Sequence, residues 1–108
     1  MGKHILVVHT NAKAGEDEAF NDWYSNVHVQ EVVQIPGFVS AQRFKLSDQQ
    51  MGGESEYKYL AIYEIEAESA GAALDALKAA RPNLNMTDTL DDKRMLLAFD
   101  QITEKVTR

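Results

Sequence analysis

Cysteine is absent from the 108-residue chain, which excludes disulfides, thiolate nucleophiles and cysteine-ligated metal sites and agrees with a reducing cytoplasm, where we expect the protein. Basic residues are scarce as well: 11 Lys and Arg stand against 17 Asp and Glu, a formal charge of -6 with a pI near 4.9. Such a surface repels phosphate backbones and anionic lipid, so neither nucleic acid nor membrane is an expected partner. Long apolar runs are missing, since Ile5 to Val8 is far shorter than a signal-peptide core or a membrane span. There is no glycine-rich phosphate loop, no serine elbow and no paired-histidine metal spacing. His4, His9 and His28 are scattered along the chain. No metal and no cofactor is therefore expected. What remains is an ordinary globular composition, 44% hydrophobic and 26% charged, of a length suited to one domain spanning residues 1–108.

Residues 4–12 are β-branched and apolar and read as a first strand ending at Asn11, Lys13 and Gly15. Glu16, Asp17 and Glu18 place carboxylates where a helix N-terminus favours them, and Phe20, Trp23, Tyr24 and Val27 follow at helical spacing, predicting a helix over 16–33. Pro36 and Gly37 end it. Residues 38–46 and 57–66 read as strands two and three across a polar loop with Gly52 and Gly53, 69–80 as an alanine-rich helix closed by Pro82, and 94–103 as the last strand after an irregular stretch.

The order β-α-β-β-α-β predicts an α+β, ferredoxin-like domain, a four-stranded antiparallel sheet with both helices on one face. The other face presents a difficulty. Strand one sets Ile5 and Val7 against Leu6 and Val8, and strand three sets Tyr57, Tyr59, Ala61, Tyr63 and Ile65 against Leu60 and Ile62, so neither side is polar. An apolar sheet left in water reads as an interaction surface. A homodimer through the sheet is the expectation, with a monomer of imperfect alternation as the other reading.

On the first helix, Phe20, Trp23, Tyr24 and Val27 fall in one arc, with Glu31 in its middle. A carboxylate there needs a partner. His28, four residues after Tyr24 and three before Glu31, is the natural one, so that Tyr24, His28 and Glu31 form a candidate catalytic group of phenol, imidazole and carboxylate. The residues leave a second reading open, in which the histidine is structural, the tyrosine is core and Glu31 pairs at the helix end. Trp23 is either core or a stacking wall for a ligand; His9 faces a pocket or marks the end of strand one; Arg43 pairs an anionic substrate or lies solvated on strand two. Tyr63, in the middle of strand three, completes the candidate ligand contacts.

Phe20-Asn21-Asp22-Trp23-Tyr24, then His28, then Ile35-Pro36-Gly37-Phe38-Val39 and Arg43-Phe44 resemble the EthD-like members of the dimeric α+β barrel superfamily over the first 45 or so residues. The resemblance implies a protomer whose sheet packs on its twin's and a small-molecule pocket between helices and sheet, lined by His28 with Trp23 and Tyr24 beside it. The superfamily includes oxygenases, lactone isomerases, polyketide cyclases and haem-degrading enzymes. For this chain the expectation is cofactor-independent acid-base chemistry, of isomerase, lyase/cyclase or oxygenase type, on a small aromatic, polyketide-like or lactone metabolite, in which His28 moves a proton, Glu31 orients it and Tyr24 donates to an oxyanion. The alternative is a non-catalytic small-molecule-binding or stress-responsive accessory dimer.

Overall fold

A computed structural model describes residues 2–108. Its strands are β1 (Gly2–Thr10), β2 (Phe38–Lys45), β3 (Tyr59–Ala67) and β4 (Met95–Asp100), antiparallel throughout in the spatial order β2-β3-β1-β4. The helical segments are α1 (Asp17–Trp23), α2 (Val29–Val32) and α3 (Ala70–Ala80). This is the ferredoxin-like arrangement expected from the element order. The strand boundaries differ by a few residues; β4 ends at Asp100 rather than Thr103.

Alternation along the strands decides which side chains meet the helices. The even residues of β1 and the odd residues of β3 turn inward: Leu6, Ala61, Tyr63 and Ile65 are almost fully buried, packed with Phe20 and Val32 from the helical layer. Leu6 lies opposite Tyr63 and Val8 opposite Ala61, so one register places the whole core set on one side. Ser69 caps α3, its Oγ accepting the Ala72 N–H at 3.1 Å. Gly37 follows Pro36 with φ +96°, a left-handed conformation in which a side chain would be strained, although a Cβ there would meet the Ala73 methyl at an ordinary contact distance of 3.5 Å.

The first helix departs from the sequence expectation in its middle. Between α1 and α2 the chain forms a π-helical turn, Tyr24–His28, closed by the Val29 N–H donating to the Tyr24 carbonyl. Ser25, Asn26 and Val27 are weak α-helix formers, so little local preference resists the wider turn. The extra residue changes the phase of everything after it. Phe20 and Tyr24 are continued on the buried side by Val32, while Val27 and Glu31 fall at its margins. The helix also stops at Val32, short of Ile35, which is buried from the following turn.

The outer face of the sheet carries Ile5, Val7, Phe44, Leu60, Ile62, Leu97 and Phe99, with Glu64 and Glu66 toward one end. Phe99 is 49% exposed and Leu97 41%. β4 is open on the helix side too, where Leu96 is 49% exposed. The helical layer therefore leaves a gap above β1 and β4, and that gap is the candidate site.

Candidate functional site

The gap is a cavity of about 320 Å³ with a floor of Leu6, Val8, Leu96 and Ala98. One wall is the end of α1, which supplies Trp23, and the π turn, which supplies Tyr24 and His28. The opposite wall is α3 with Leu74, Leu77 and Lys78, and a loop carrying Leu84, Met86 and Leu90 completes it. The volume lies at the small end of the range for sites that enclose a metabolite.

His28 is fixed by aromatic neighbours rather than by hydrogen bonds. Trp23 stacks on its ring, centroids 4.6 Å apart and planes 23° from parallel, and Tyr24 meets it edge-on at 4.9 Å. Its Nδ1 is buried with no hydrogen-bond partner, which leaves Nε2 as the nitrogen open to the cavity. Burial drives the imidazole's pKa down to about 4; the negative charge of Glu31 pulls it back up, while Arg81 and then Arg43 lower it further. At neutral pH the ring is uncharged.

Tyr24 is buried, and its hydroxyl accepts a hydrogen bond from the Tyr63 hydroxyl at 3.2 Å. Burial raises both phenols above their usual range, so both keep their protons. Since Tyr63 is the donor of this pair, the hydrogen of Tyr24 is uncommitted. Tyr63 stands behind Tyr24 and does not reach the cavity.

Glu31 does not bond His28. Its two carboxylate oxygens accept the backbone N–H and the side-chain Nδ2 of Asn85, each at 2.9 Å, because the π turn has rotated it out of the apolar arc toward the loop. Trp23 holds the same residue: its indole Nε1 donates to the Asn85 carbonyl at 2.7 Å. Asn85 thus pins the cavity's loop to the helix. Its role was not visible in the sequence, where 83–93 reads as an irregular polar stretch.

The remaining expected ligand contacts lie elsewhere. Arg43 lies half-buried beneath α1, away from the cavity: its guanidinium stands 4.5 Å from the Tyr24 ring centroid and near the Phe20 and Tyr59 rings, and it donates to Asn21 Oδ1 at 2.9 Å and Ser25 Oγ at 2.8 Å. Strand parity puts Arg43 on the helix side of β2, opposite Ala61, which accounts for its capture. His9 is on the outer face, its ring 5.5 Å from that of Tyr57. Of the seven residues singled out, the fold gathers Trp23, Tyr24 and His28 at the cavity. The cavity also takes Lys78, Arg81 and Arg94, which no motif flagged. Lys78 and Arg81, one helical turn apart, were the available signal.

Among the described residues no cluster of His, Asp and Glu is arranged to hold a metal ion, and no helix is long and apolar enough to cross a membrane.

The family model described as "Domain of unknown function (DUF4286)" matches residues 3–104. None of the curated proteins matches the sequence. Among solved structures, the haem degrader MhuD of Mycobacterium tuberculosis, with two haems bound in its active site, superposes with a TM-score of 0.66 at 16% identity, covering 95% of this chain and 99% of that one. An EthD-like protein of Ralstonia eutropha gives 0.62 at 15% identity over 100% and 99%. A DABB family protein of Mesorhizobium loti with a ferredoxin-like fold gives 0.59 at 14% identity over 95% and 100%. At these identities the likeness establishes the shared fold. With the family model covering nearly its whole length, the chain belongs to the DUF4286 family.

Proposed function

We propose that this DUF4286 protein binds a small metabolite in the cavity beside His28 and acts on it by acid-base chemistry without a cofactor. The observation that carries the reading is an uncharged imidazole, buried on one edge and open at Nε2, set by a π turn into the wall of a partly open cavity. π turns inside helices occur frequently at functional sites. Nε2 exchanges a proton with an acidic O–H or C–H of the ligand. Burial disfavours imidazolium because the ring is desolvated, but a ligand that becomes negative as it loses its proton offsets that cost by pairing with the ring. Tyr24, with its own hydrogen free, donates to the oxygen where charge develops. Glu31 acts at a distance, through its charge on His28 and by holding Asn85. Aromatic, polyketide-like and lactone metabolites with an ionisable position suit this chemistry.

In this reading the active unit is a homodimer joined through the outer sheet face, on the strength of the exposed Phe44, Leu97 and Phe99.

The test compares wild type with His28→Ala in ligand affinity and turnover across a panel of phenols, enolisable ketones and lactones, alongside thermal midpoint and an absorption spectrum. Turnover in the wild type that is lost in a folded His28→Ala supports the assignment. Binding without turnover in either protein identifies a binding module instead. A visible band from a bound chromophore would replace the cofactor-independent mechanism, and a large fall in midpoint with unchanged binding would return His28 to the core.

A further inference from the structure

Charge around the cavity is distributed against the character of the chain. The protein carries 17 acidic and 11 basic residues, yet no Asp or Glu lines the cavity, while Lys78, Arg81 and Arg94 do. Elsewhere Lys58 pairs with Asp17 at 3.0 Å and Lys93 with Glu56 at 2.7 Å, and these are the two Lys or Arg ion pairs among the described residues. The three at the cavity make no ion pair and no side-chain hydrogen bond among the described residues. All three are exposed, so they stand at its rim. Lys78 and Arg81 project from one turn of the α3 end, and Arg94 stands just before β4. Below them the lining is aliphatic, from Leu6, Leu74, Leu77 and Leu96.

An apolar interior under a cationic rim fits one kind of molecule. Placing unpaired cations together costs Coulomb energy that a bound anion returns, and guanidinium groups match the planar geometry of a carboxylate. We propose that the ligand of this cavity is an apolar molecule bearing one carboxylate, with its hydrocarbon body between Trp23, Leu77 and Leu96 and its acid group held by Arg81 and Arg94, with Lys78 adding charge. The inference rests on the reading of the cavity as the functional site and specifies the chemical class it takes. The rim selects the acid, and His28, deeper in the wall, meets the body of the molecule rather than its head.

Trp23 is the chain's one tryptophan and lines the cavity, so its emission reports occupancy directly. The probes are 4-cyclohexylbutanoate and its neutral primary amide, which share one apolar body. The acid is expected to bind roughly tenfold more tightly than the amide at low salt, the gap narrowing as potassium chloride is added. In the double variant Arg81→Gln, Arg94→Gln the acid should fall to the affinity of the amide. The amide itself should bind the variant as it binds wild type, which shows that the variant is folded. Lys105→Gln, remote from the cavity, should change neither. Equal affinities of acid and amide for wild type would overturn the carboxylate assignment while leaving the cavity as an apolar ligand site. If neither probe altered Trp23 emission up to about 10 mM, a level that only negligible affinity would leave silent, the cavity would not be a ligand site and the proposed function would fall with it.

Discussion

His28 has its ring inside the protein and its charge suppressed, and that combination has a measurable effect on stability. In the unfolded chain its pKa is near 6.5, and burial in the folded state holds it at about 4. Between these values the unfolded chain binds a proton that the folded one refuses, so stability falls as pH drops from about 6.5 to 4 and the contribution is complete above that window. The full difference is on the order of 3 kcal/mol. Urea unfolding at pH 7 and pH 4.5 is expected to show wild type losing more stability than His28→Gln by a sizeable part of that amount; parallel losses would mean that the ring is not desolvated. The Tyr24–Tyr63 pair supplies a second residue-scale prediction. Tyr24→Phe removes the acceptor of the Tyr63 hydroxyl, 1% exposed, and leaves a buried O–H unpaired, a cost of about 1–3 kcal/mol. Removing both hydroxyls leaves nothing unpaired, so the double Phe variant should be less destabilised than the sum of the two singles. Additive losses in a double-mutant cycle would contradict the shared bond. The aromatic trio Trp23, Tyr24 and His28 was legible as spacing on a helix. The packing of Arg43 against the Tyr24 and Phe20 rings was not, because it depends on β2 lying under α1.

At the level of elements, the π turn Tyr24–His28 and the loop pinned by Asn85 matter most. Counting 3.6 residues per turn from Phe20 puts Glu31 in the apolar arc, and its misfit there was a genuine signal that the turn count is wrong. One inserted residue resolves the conflict by moving Glu31 out to Asn85 and bringing Val32 inward. Asn85→Ala removes the side-chain partner of Glu31 while leaving both backbone bonds of residue 85 in place. The expected result is a loss of about 1 kcal/mol with faster amide exchange in residues 84–90, and little change in the strands. Exchange that accelerates equally across the sheet would show that the loop is not a separate unit. Strand and helix positions were legible to within a few residues from alternation and turn residues. The loop after α3 was not, since its order comes from bonds to residues more than 50 positions earlier.

For the whole molecule, the outer sheet face decides behaviour in solution. Ile5, Val7, Leu60, Ile62, Leu97 and Phe99 form a continuous apolar surface on paired strands, and its Glu64 and Glu66 lie toward one end. Light scattering is expected to give twice the 12.1 kDa chain mass. Leu97→Glu, at a position 41% exposed in the single chain, should halve that mass with little loss in the protomer's own core. A wild-type monomer at micromolar concentration, or a Leu97→Glu protein of unchanged mass, would rule out this face as the dimer surface.

Local pattern determined the order of elements and the sides of the strands, because alternation and helical spacing are properties of neighbours in the chain. It also determined what is absent, since a chain without cysteine or a phosphate loop lacks that chemistry in any fold. The tertiary structure decided which of the marked residues meet. His9 and His28 are both histidines beside apolar residues, yet strand parity sends one to the outer face while a π turn sets the other in the cavity wall. Nothing local links Lys78 and Arg81, one helical turn apart, to Arg94. They share a rim only because α3 ends above the gap that β4 opens, and that juxtaposition depends on how far the helical layer reaches across the sheet.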